Sequence, residues 1–317
     1  MLNLKFLETF VWVARLRSFT LAANRMNATQ AAISSRIAAL ETELGVKLFL
    51  RDHKKITLTP EGLNILARAE PLLKSARSLV DDLSGAGWLH GTVRIGVIDT
   101  ISFTWLVDLI RSSKAQFPQI NIEITADTTL RLVNLLAAGE IDVALIMGPV
   151  LEQGYLSVEL CSYACHWVAS PMLGLGGRAS LDQIARFPIV SFPKGSQPHA
   201  AITRFFEQFP RDDHVIYTAN SLATIIRMTA DGIGVAAIPP VVAERELARG
   251  ELELIDAQQP IPPMRLHAVY FDGPAQLIPA TIAELARQVA HDFCQHSNPD
   301  WAWDRPSAGR SGSGPLA

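Results

Sequence analysis

Gln30, Ser34 and Ser35 follow a threonine, Thr29, within two helical turns, and each carries a neutral hydrogen-bonding side chain. Such groups suit base edges: an amide matches N6 and N7 of adenine, and hydroxyls add weaker contacts. Close by lie Arg25, Arg36, Arg51, Lys54 and Lys55, cations of the kind that hold phosphates without reading sequence. Together they offer the chemistry of duplex DNA recognition, with Gln30 the first choice for base readout and Ser34 and Ser35 lesser contacts. Arg36, Arg51, Lys54 and Lys55 would hold phosphates. The same residues also fit an ordinary helix pair with a solvated basic face.

The elements that must position them can be read locally. Ser18 is a good N-cap for a helix from Phe19 to about Met26, Asn27-Ala28 breaks the pattern, and Thr29 caps a second helix from Gln30 to Leu44, closed by Gly45. Ile33, Ile37, Leu40 and Leu44 share one stripe of that helix. Ala31, Ser35, Ala38 and Thr42 form the opposite, small-sided face, which lets a backbone approach base edges in a groove about 12 Å wide. The segment LFLRDHKKITLT reads as a strand, a polar turn near Asp52-His53 and a returning strand, a wing that brings its cations to the backbone. Residues 4–16 give a helix whose Leu4, Leu7, Val11 and Ala14, with Phe10, support the second helix from behind.

Charge is shared unevenly along the 317 residues. Residues 1–62 hold nine Lys and Arg against five Asp and Glu, whereas the remainder holds 19 against 26. A basic head on an acidic body fits a nucleic-acid-binding end joined to something else. Three cysteines, Cys161, Cys165 and Cys294, make no disulfide framework and point to a reducing compartment. The start MLNLKFLETF lacks a secretion pattern and no apolar run reaches 18 residues, so a cytoplasmic location without a membrane partner is expected.

The ordered pieces SFTLAA, TQAAIS, Leu40-Glu41, Leu44-Gly45, Leu48-Phe49-x-Arg51 and LTPEG (58–62) resemble the N-terminal domain of LysR-type transcriptional regulators. Three positions depart from that pattern: Arg17 stands at a usual glycine, Met26 at a usual leucine and Ala31 at a usual proline. The resemblance implies an N-terminal all-α winged helix-turn-helix (1–59) whose DNA contacts include Ser18, Thr29, Gln30 and Ala31. A linker helix (60–84), a hinge (85–91) and a C-terminal α/β two-lobed effector-binding domain (92–297), similar to type 2 periplasmic binding proteins, would follow. It also implies a homodimer or homotetramer on double-stranded DNA, a small-molecule effector, and RNA polymerase as a partner.

The residues beyond the wing read compatibly. Thr59-Pro60-Glu61 starts a helix, and Leu66, Leu73 and Val80 interleave with Ala69, Ala76 and Leu83 as a heptad seam, so Leu66, Leu73, Val80 and Leu83 are the candidate dimer contacts. A single helix could also bury that stripe on its own body, but the narrow strict seam and a position between domains favour a second copy of the helix. Pro71 predicts a kink. SGAGWLHG (84–91) reads as a hinge, and strand and helix then alternate. The strands are 92–98, 120–125, one within 138–147, 163–169, 189–192, 215–218, 234–238 and 266–271. The helices are 103–117, 128–138, 181–186, 197–208, 221–231, 240–249 and 276–296. Lobe I would take about 92–162 and 267–297 and lobe II about 163–266, with a disordered tail over 298–317.

Ligands of open α/β sheets bind beyond the carboxyl ends of strands, near helix N-termini. That rule selects Thr100 and Ser102, Thr128 and Thr129, Pro193, Gly195 and Ser196, and Asn220. Helix N-termini together with Lys194 favour a small carboxylate-bearing effector. No metal is assigned to Cys161, Cys165 and His166 or to His291, Cys294 and His296, which lack paired ligand spacing. No cofactor loop or nucleophile elbow is legible, so no enzyme activity is expected. The rival readings are a cytosolic small-molecule-binding protein and an α/β enzyme with a helical N-terminal appendage.

Overall fold

The computed structural model describes residues 2–304 except 27, 53–54, 84–88, 153, 207–214, 258 and 274–275; side chains at 51, 52, 55, 74 and 77–83 also lie outside the description. The head comprises α1 (Leu4–Leu16), α2 (Phe19–Arg25), α3 (Gln30–Leu44) and an antiparallel pair, β1 (Phe49–Asp52) with β2 (Lys55–Leu58), Phe49 facing Leu58. Its core gathers Leu7, Phe10, Val11 and Trp12 of α1 with Ile33, Ile37 and Leu40 of α3 and Leu48 and Phe49. Burial of these side chains, worth roughly 1.5–3 kcal/mol each, holds three short helices that could not persist alone. Arg17 ends α1 at φ 48°, a left-handed conformation that glycine adopts without strain, and it is the one non-glycine residue with positive φ among those described.

α4 (Pro60–Leu83) runs unbroken through Pro71. Its Ala69 and Leu73 are buried against α1, and Leu66 is partly covered by the same core. Half of the heptad seam therefore packs on its own head, and Leu73 is not presented to a partner. Val80 and Leu83 have side chains outside the described residues.

The body is a mixed sheet threaded through two lobes, in the order β4 (Ile120–Ala126), β3 (Gly91–Val97), β5 (Val143–Met147), β11 (Ile261–Phe271), β6 (Tyr155–Ala169), β9 (Val235–Ile238), β7 (Ile189–Ser191), β8 (Ile216–Thr218). β3 runs parallel to β4 and β5, as strand-helix-strand crossovers require. β6 and β11 pass through both lobes, with register shifts between Ile261 and Met264 and between Leu266 and His267. Lobe I is covered by α5 (Asp99–Ser102), α6 (Leu106–Gln116), α7 (Thr129–Ala137) and α12 (Leu277–His296); lobe II carries α8 (Leu181–Ile184), α9 (Gln197–Phe206), α10 (Leu222–Ala230) and α11 (Glu244–Ala248).

Several sequence expectations need correcting. The helix expected over 103–117 covers only Leu106–Gln116, and α5 lies before it as a separate turn, because Thr104 turns its hydroxyl back onto the Thr100 and Ile101 carbonyls and the chain reorients at Trp105. β6 starts at Tyr155, eight residues before the expected Tyr163, since it pairs with β11 along most of its length. β10 (Glu253–Ile255) was not anticipated. The expected disorder from residue 298 is wrong for 298–304: β12 (Ala302–Trp303) pairs with Tyr163 and Ser162 of β6, Ala302 is buried, and His291 contacts Asp304.

Candidate nucleic-acid interface and ligand cleft

The caps on the reading unit are made as their residue types require. The Leu21 N–H donates to Ser18 Oγ at 3.2 Å and the Ala32 N–H to Thr29 Oγ1 at 3.2 Å. Ser18 and Thr29 thus spend an acceptor on the helices they start. α3 buries Ile33, Ile37 and Leu40 and leaves Gln30, Ala31, Ser35, Ala38 and Thr42 exposed, with Ser34 half-buried at the edge. The Gln30 side chain keeps one weak contact, Thr20 Oγ1 donating to its Oε1 at 3.4 Å, so its amide is available.

Arg36 lies in a shallow groove with Ala23, Asn24, Ala28, Thr29 and Ala32 between α2 and α3. Its Nη1 is buried and has no hydrogen-bond partner among the described residues. A buried cationic donor left unsatisfied calls for an anion. Arg51 and Lys55 stand on the wing strands with side chains outside the description, as is Lys54 altogether. Arg25, expected among the exposed cations, is turned away: its side chain is 6 % exposed and pairs with Asp142 at 2.7 Å.

One positioning residue, Glu41, has no counterpart in the sequence reading, and Thr59 does more than cap the helix it starts. Glu41, buried near the end of α3, accepts the Leu48 N–H at 2.9 Å and the Lys47 ammonium at 2.7 Å, tying α3 to the first residue of the wing. Burial pulls its carboxyl upward, yet Lys47 and the Leu48 and Phe49 N–H groups outweigh that and leave the pKa below the ordinary value. Thr59 closes the other side, donating to the Lys47 carbonyl at 2.7 Å and accepting the Gly62 N–H at 2.8 Å. A Cβ on Gly62 would meet the Leu48 carbonyl oxygen at 2.3 Å, which gives the glycine of LTPEG a steric reason. The Leu-Glu and LTPEG pieces were the available signals.

Between the lobes lies a cavity of about 280 Å³. Seven of the eight expected residues line it: Thr100, Thr128, Thr129, Pro193, Gly195, Ser196 and Asn220. Ser102 does not, because α5 turns its hydroxyl back to the Ile98 carbonyl at 3.4 Å. The apolar wall was not foreseen: Ile98, Leu130, Val133, Met147, Phe192 and Met264 supply most of it. Lys194 stands at the rim with Asp99 and Asp127.

The helix ends around the cavity are partly occupied. The Leu222 N–H at the start of α10 donates to Asp99 Oδ2 at 2.8 Å, a lobe I carboxylate capping a lobe II helix. The Thr128 N–H donates to Asp127 Oδ1 at 2.7 Å. Ser196 accepts the His199 N–H at 3.3 Å, and Thr129 Oγ1 accepts the Met147 N–H at 3.3 Å. The Asp99 bond spans the cleft, so relative motion of the lobes must break or bend it. Among the described residues no group of three His, Cys, Asp or Glu side chains could hold a metal ion, and no helix is long and apolar enough to cross a membrane.

A winged helix-turn-helix joined by a long helix to a two-lobed α/β body with a cleft is the build of a ligand-responsive DNA-binding regulator. Residues 4–63 match the model of bacterial regulatory helix-turn-helix proteins of the lysR family, and residues 86–290 match the LysR substrate binding domain. The chain belongs to the LysR family of DNA-binding transcriptional regulators. It is 28 % identical over 268 residues to a probable hydrogen peroxide-inducible genes activator of Mycobacterium avium, covering 83 % of this chain and 86 % of the relative. It is 29 % identical over 279 residues to the regulator PtxR of Pseudomonas aeruginosa, covering 85 % and 86 %. Among solved structures, a hydrogen peroxide-bound mutant of Corynebacterium glutamicum OxyR superposes with a TM-score of 0.56 at 25 % identity, covering 92 % of this chain and 94 % of that one. ArgP of Mycobacterium tuberculosis shares the fold, at 20 % identity and a TM-score of 0.58 over 92 % and 98 % of the chains.

Proposed function

We propose that α3 lies in the DNA major groove with Gln30 reading a base edge, Ser34 and Ser35 assisting, and Arg36, Arg51, Lys54 and Lys55 on phosphates. The observation that carries this is the bare, exposed face of α3 beside the unpaired Arg36 nitrogen. Ala31, exposed at the entry to the helix, keeps that approach open. The protein would act in the cytoplasm as a homodimer or homotetramer, with the part of α4 beyond Leu73, including Val80 and Leu83, left for a second copy. RNA polymerase would be its partner at the promoter. Binding to a duplex taken from upstream of its own gene, followed across salt, tests the reading. Gln30→Ala should relax preference at one base pair by about 1–3 kcal/mol, while Lys54→Ala should reduce the salt slope by about one at unchanged preference. Equal loss by Gln30→Ala on every duplex would remove it from base readout.

The cleft we assign to a small effector with an apolar body and one carboxylate. The Met147, Met264, Phe192 and Val133 wall suits the body, and Lys194 with the Thr100 and Ser196 hydroxyls suits the anionic end. Asp99 and Asp127 at the same rim disfavour a second negative charge. Thermal shifts with matched acids and their amides test the assignment; an amide that stabilises as well as its acid would overturn the carboxylate. The name of the M. avium relative raises peroxide sensing instead, which needs a reactive thiolate. Here Cys161 interacts with Cys294, and that contact and burial hold its pKa well above the ordinary value; desolvation pushes Cys165 up to about 12. Burial of this kind makes Cys161 and Cys165 poor nucleophiles, which favours a ligand over an oxidant as the signal.

A further inference from the structure

The head does not hang free of the body. Trp12, 1 % exposed, sets its ring edge-on to Phe271 with centroids 5.9 Å apart, and Phe271 lies 4.4 Å from Tyr155. A Cβ on Gly273 would come within 3.2 Å of the Trp12 indole, so the Gly273 backbone packs directly on the tip of that ring. Beside this aromatic centre Arg25 reaches from α2 into lobe I. Its guanidinium sits 5.2 Å from the Trp12 ring centroid and donates to Asp142 Oδ1 at 2.7 Å, the Ile141 carbonyl at 3.3 Å and Gln276 Oε1 at 3.2 Å. Asp142 is shared with Arg94, which donates to it from the guanidinium at 2.9 and 3.1 Å and from the backbone at 2.9 Å. At the edge Arg15 pairs with Glu70 at 2.8 Å and reaches Asp272 at 3.8 Å.

Several elements of lobe I next to the head, though not β6 or α12, also reach the cleft. α7 places Thr129 and Val133 on the cavity, while the turn after it brings Gly139 against Arg25, where a Cβ would lie 3.6 Å from the Arg25 Cβ. Its nine residues span about 13 Å. β5 starts beside Asp142 and ends at Met147 in the cavity; β11 carries Met264 in the cavity and Phe271 under Trp12; β3 carries Arg94 and leads into Ile98 and Asp99. The carboxyl ends of the parallel strands face the ligand and their amino ends hold the head. Packed elements of this kind move as units.

We propose that the Arg25–Asp142 pair and the Trp12–Phe271 contact form a reversible latch through which occupancy of the cleft sets the orientation of the reading head. The latch rests on the DNA and cleft assignments above, and it names how one communicates with the other. It orients the head and does not hide it, since Gln30, Ala31 and Ser35 stay exposed while the head is docked. The pair is a buried one, with the Arg25 and Asp142 side chains 6 % and 14 % exposed, so the desolvation of its charges offsets much of their attraction. Buried ion pairs are marginal as adhesive and suited to switching. Coupling of this sort is reciprocal, so DNA on the head must be felt at the cleft without any effector present.

Hydrogen exchange of the full chain, with and without the duplex from upstream of its own gene, reads that reciprocity. Exchange at residues 128–133 and 143–147 should change by about fivefold or more on adding DNA. Arg25→Met keeps the stem over Trp12 and leaves Asp142 paired with Arg94; it should abolish the change at the cleft while DNA still binds. DNA binding without any change at the cleft in the natural protein, or the same change retained in Arg25→Met, overturns the latch. Failure to bind DNA at all would instead overturn the DNA reading. Should Arg25→Met not fold, Asp142→Asn takes its place, because it removes the carboxylate that pairs with Arg25 and keeps an oxygen for the Arg94 backbone N–H. Undiminished coupling in that variant likewise overturns the latch.

Discussion

Replacing Glu41 separates two ways in which a buried carboxylate can hold a DNA-binding head together. In Glu41→Ala the Leu48 N–H, buried at the junction of α3 and the wing, loses its acceptor. An orphaned buried donor costs about 1–3 kcal/mol. The lost pair with Lys47 adds little, because that lysine is 76 % exposed and solvent screens it, so at most about 0.5 kcal/mol belongs there. Alanine returns a few tenths through helix propensity, roughly 0.3 kcal/mol. The net expectation is a loss of about 1–3 kcal/mol, localised to α3 and β1. Glu41→Gln keeps an oxygen for Leu48 and should cost less than about 1 kcal/mol. Because the head and body have separate cores, one unfolding midpoint would blend them. Amide exchange resolved to peptides covering 30–52 gives the local opening free energy. The carboxyl also sets a pH signature. Its folded pKa is lowered, so its stabilisation is complete above the unfolded value near 4.3 and is lost as pH falls through the folded one. The natural head should therefore loosen below about pH 4 by a component that Glu41→Gln lacks. Equal effects of the two substitutions, or no local change in Glu41→Ala, would refute the account of Leu48.

Three other expectations follow from single geometries. Arg17→Gly should stabilise the head by about 0.5–1 kcal/mol, since it relieves a left-handed residue costing about 1–2 kcal/mol against some added unfolded-state entropy; a lower melting temperature would contradict this. Gly62→Ala should destabilise the head and weaken DNA binding, because a Cβ 2.3 Å from a backbone carbonyl oxygen forces β1 and α4 apart; unchanged exchange at residues 46–50 would count against it. Cys161 and Cys294 should resist a thiol reagent at pH 8 in the folded protein and react on unfolding, given their burial; rapid modification of the native chain would reopen thiol chemistry as the signal.

The reading unit was legible because its determinants are local. A cap, a stripe at helical spacing and a small-sided face all fall within Ser18–Leu44, and the structure realises each through contacts three or four residues apart. The cleft was legible at its helix N-termini for the same reason, while its apolar wall was not: Met147 and Met264 lie on strands whose core-forming sequence looks alike whether or not a cavity lies beside them. The heptad seam of α4 shows a different limit. Spacing specifies that a stripe is buried without specifying by what, and α1 of the same chain covers Ala69 and Leu73 as well as a second copy could. At the carboxyl terminus, the Ser, Gly and Pro content beyond residue 305 outweighed Trp301 and Trp303, although aromatic residues are enriched in strands and Trp303 lies in β12.

Arg25 marks where local reasoning fails in principle. Next to a turn, on a helix with Arg36 nearby, it has every feature of a phosphate-binding cation, and partners remote in sequence, above all Asp142, 117 positions away, turn it inward. The Asp99 bond to the α10 N–H, across 123 positions, is of the same type. Neither leaves a periodicity or a motif, because each needs two segments whose adjacency depends on the completed sheet. Both occur where one rigid unit meets another, head on lobe and lobe on lobe. An interface within a chain can be remade in a second arrangement, whereas a core residue such as Ile33 cannot move without unpacking its neighbours. Charge placed at such junctions is costly as adhesive and effective as a two-position contact. These two pairs, neither of them readable from the sequence, stand at the junctions where such a change of orientation would have to occur.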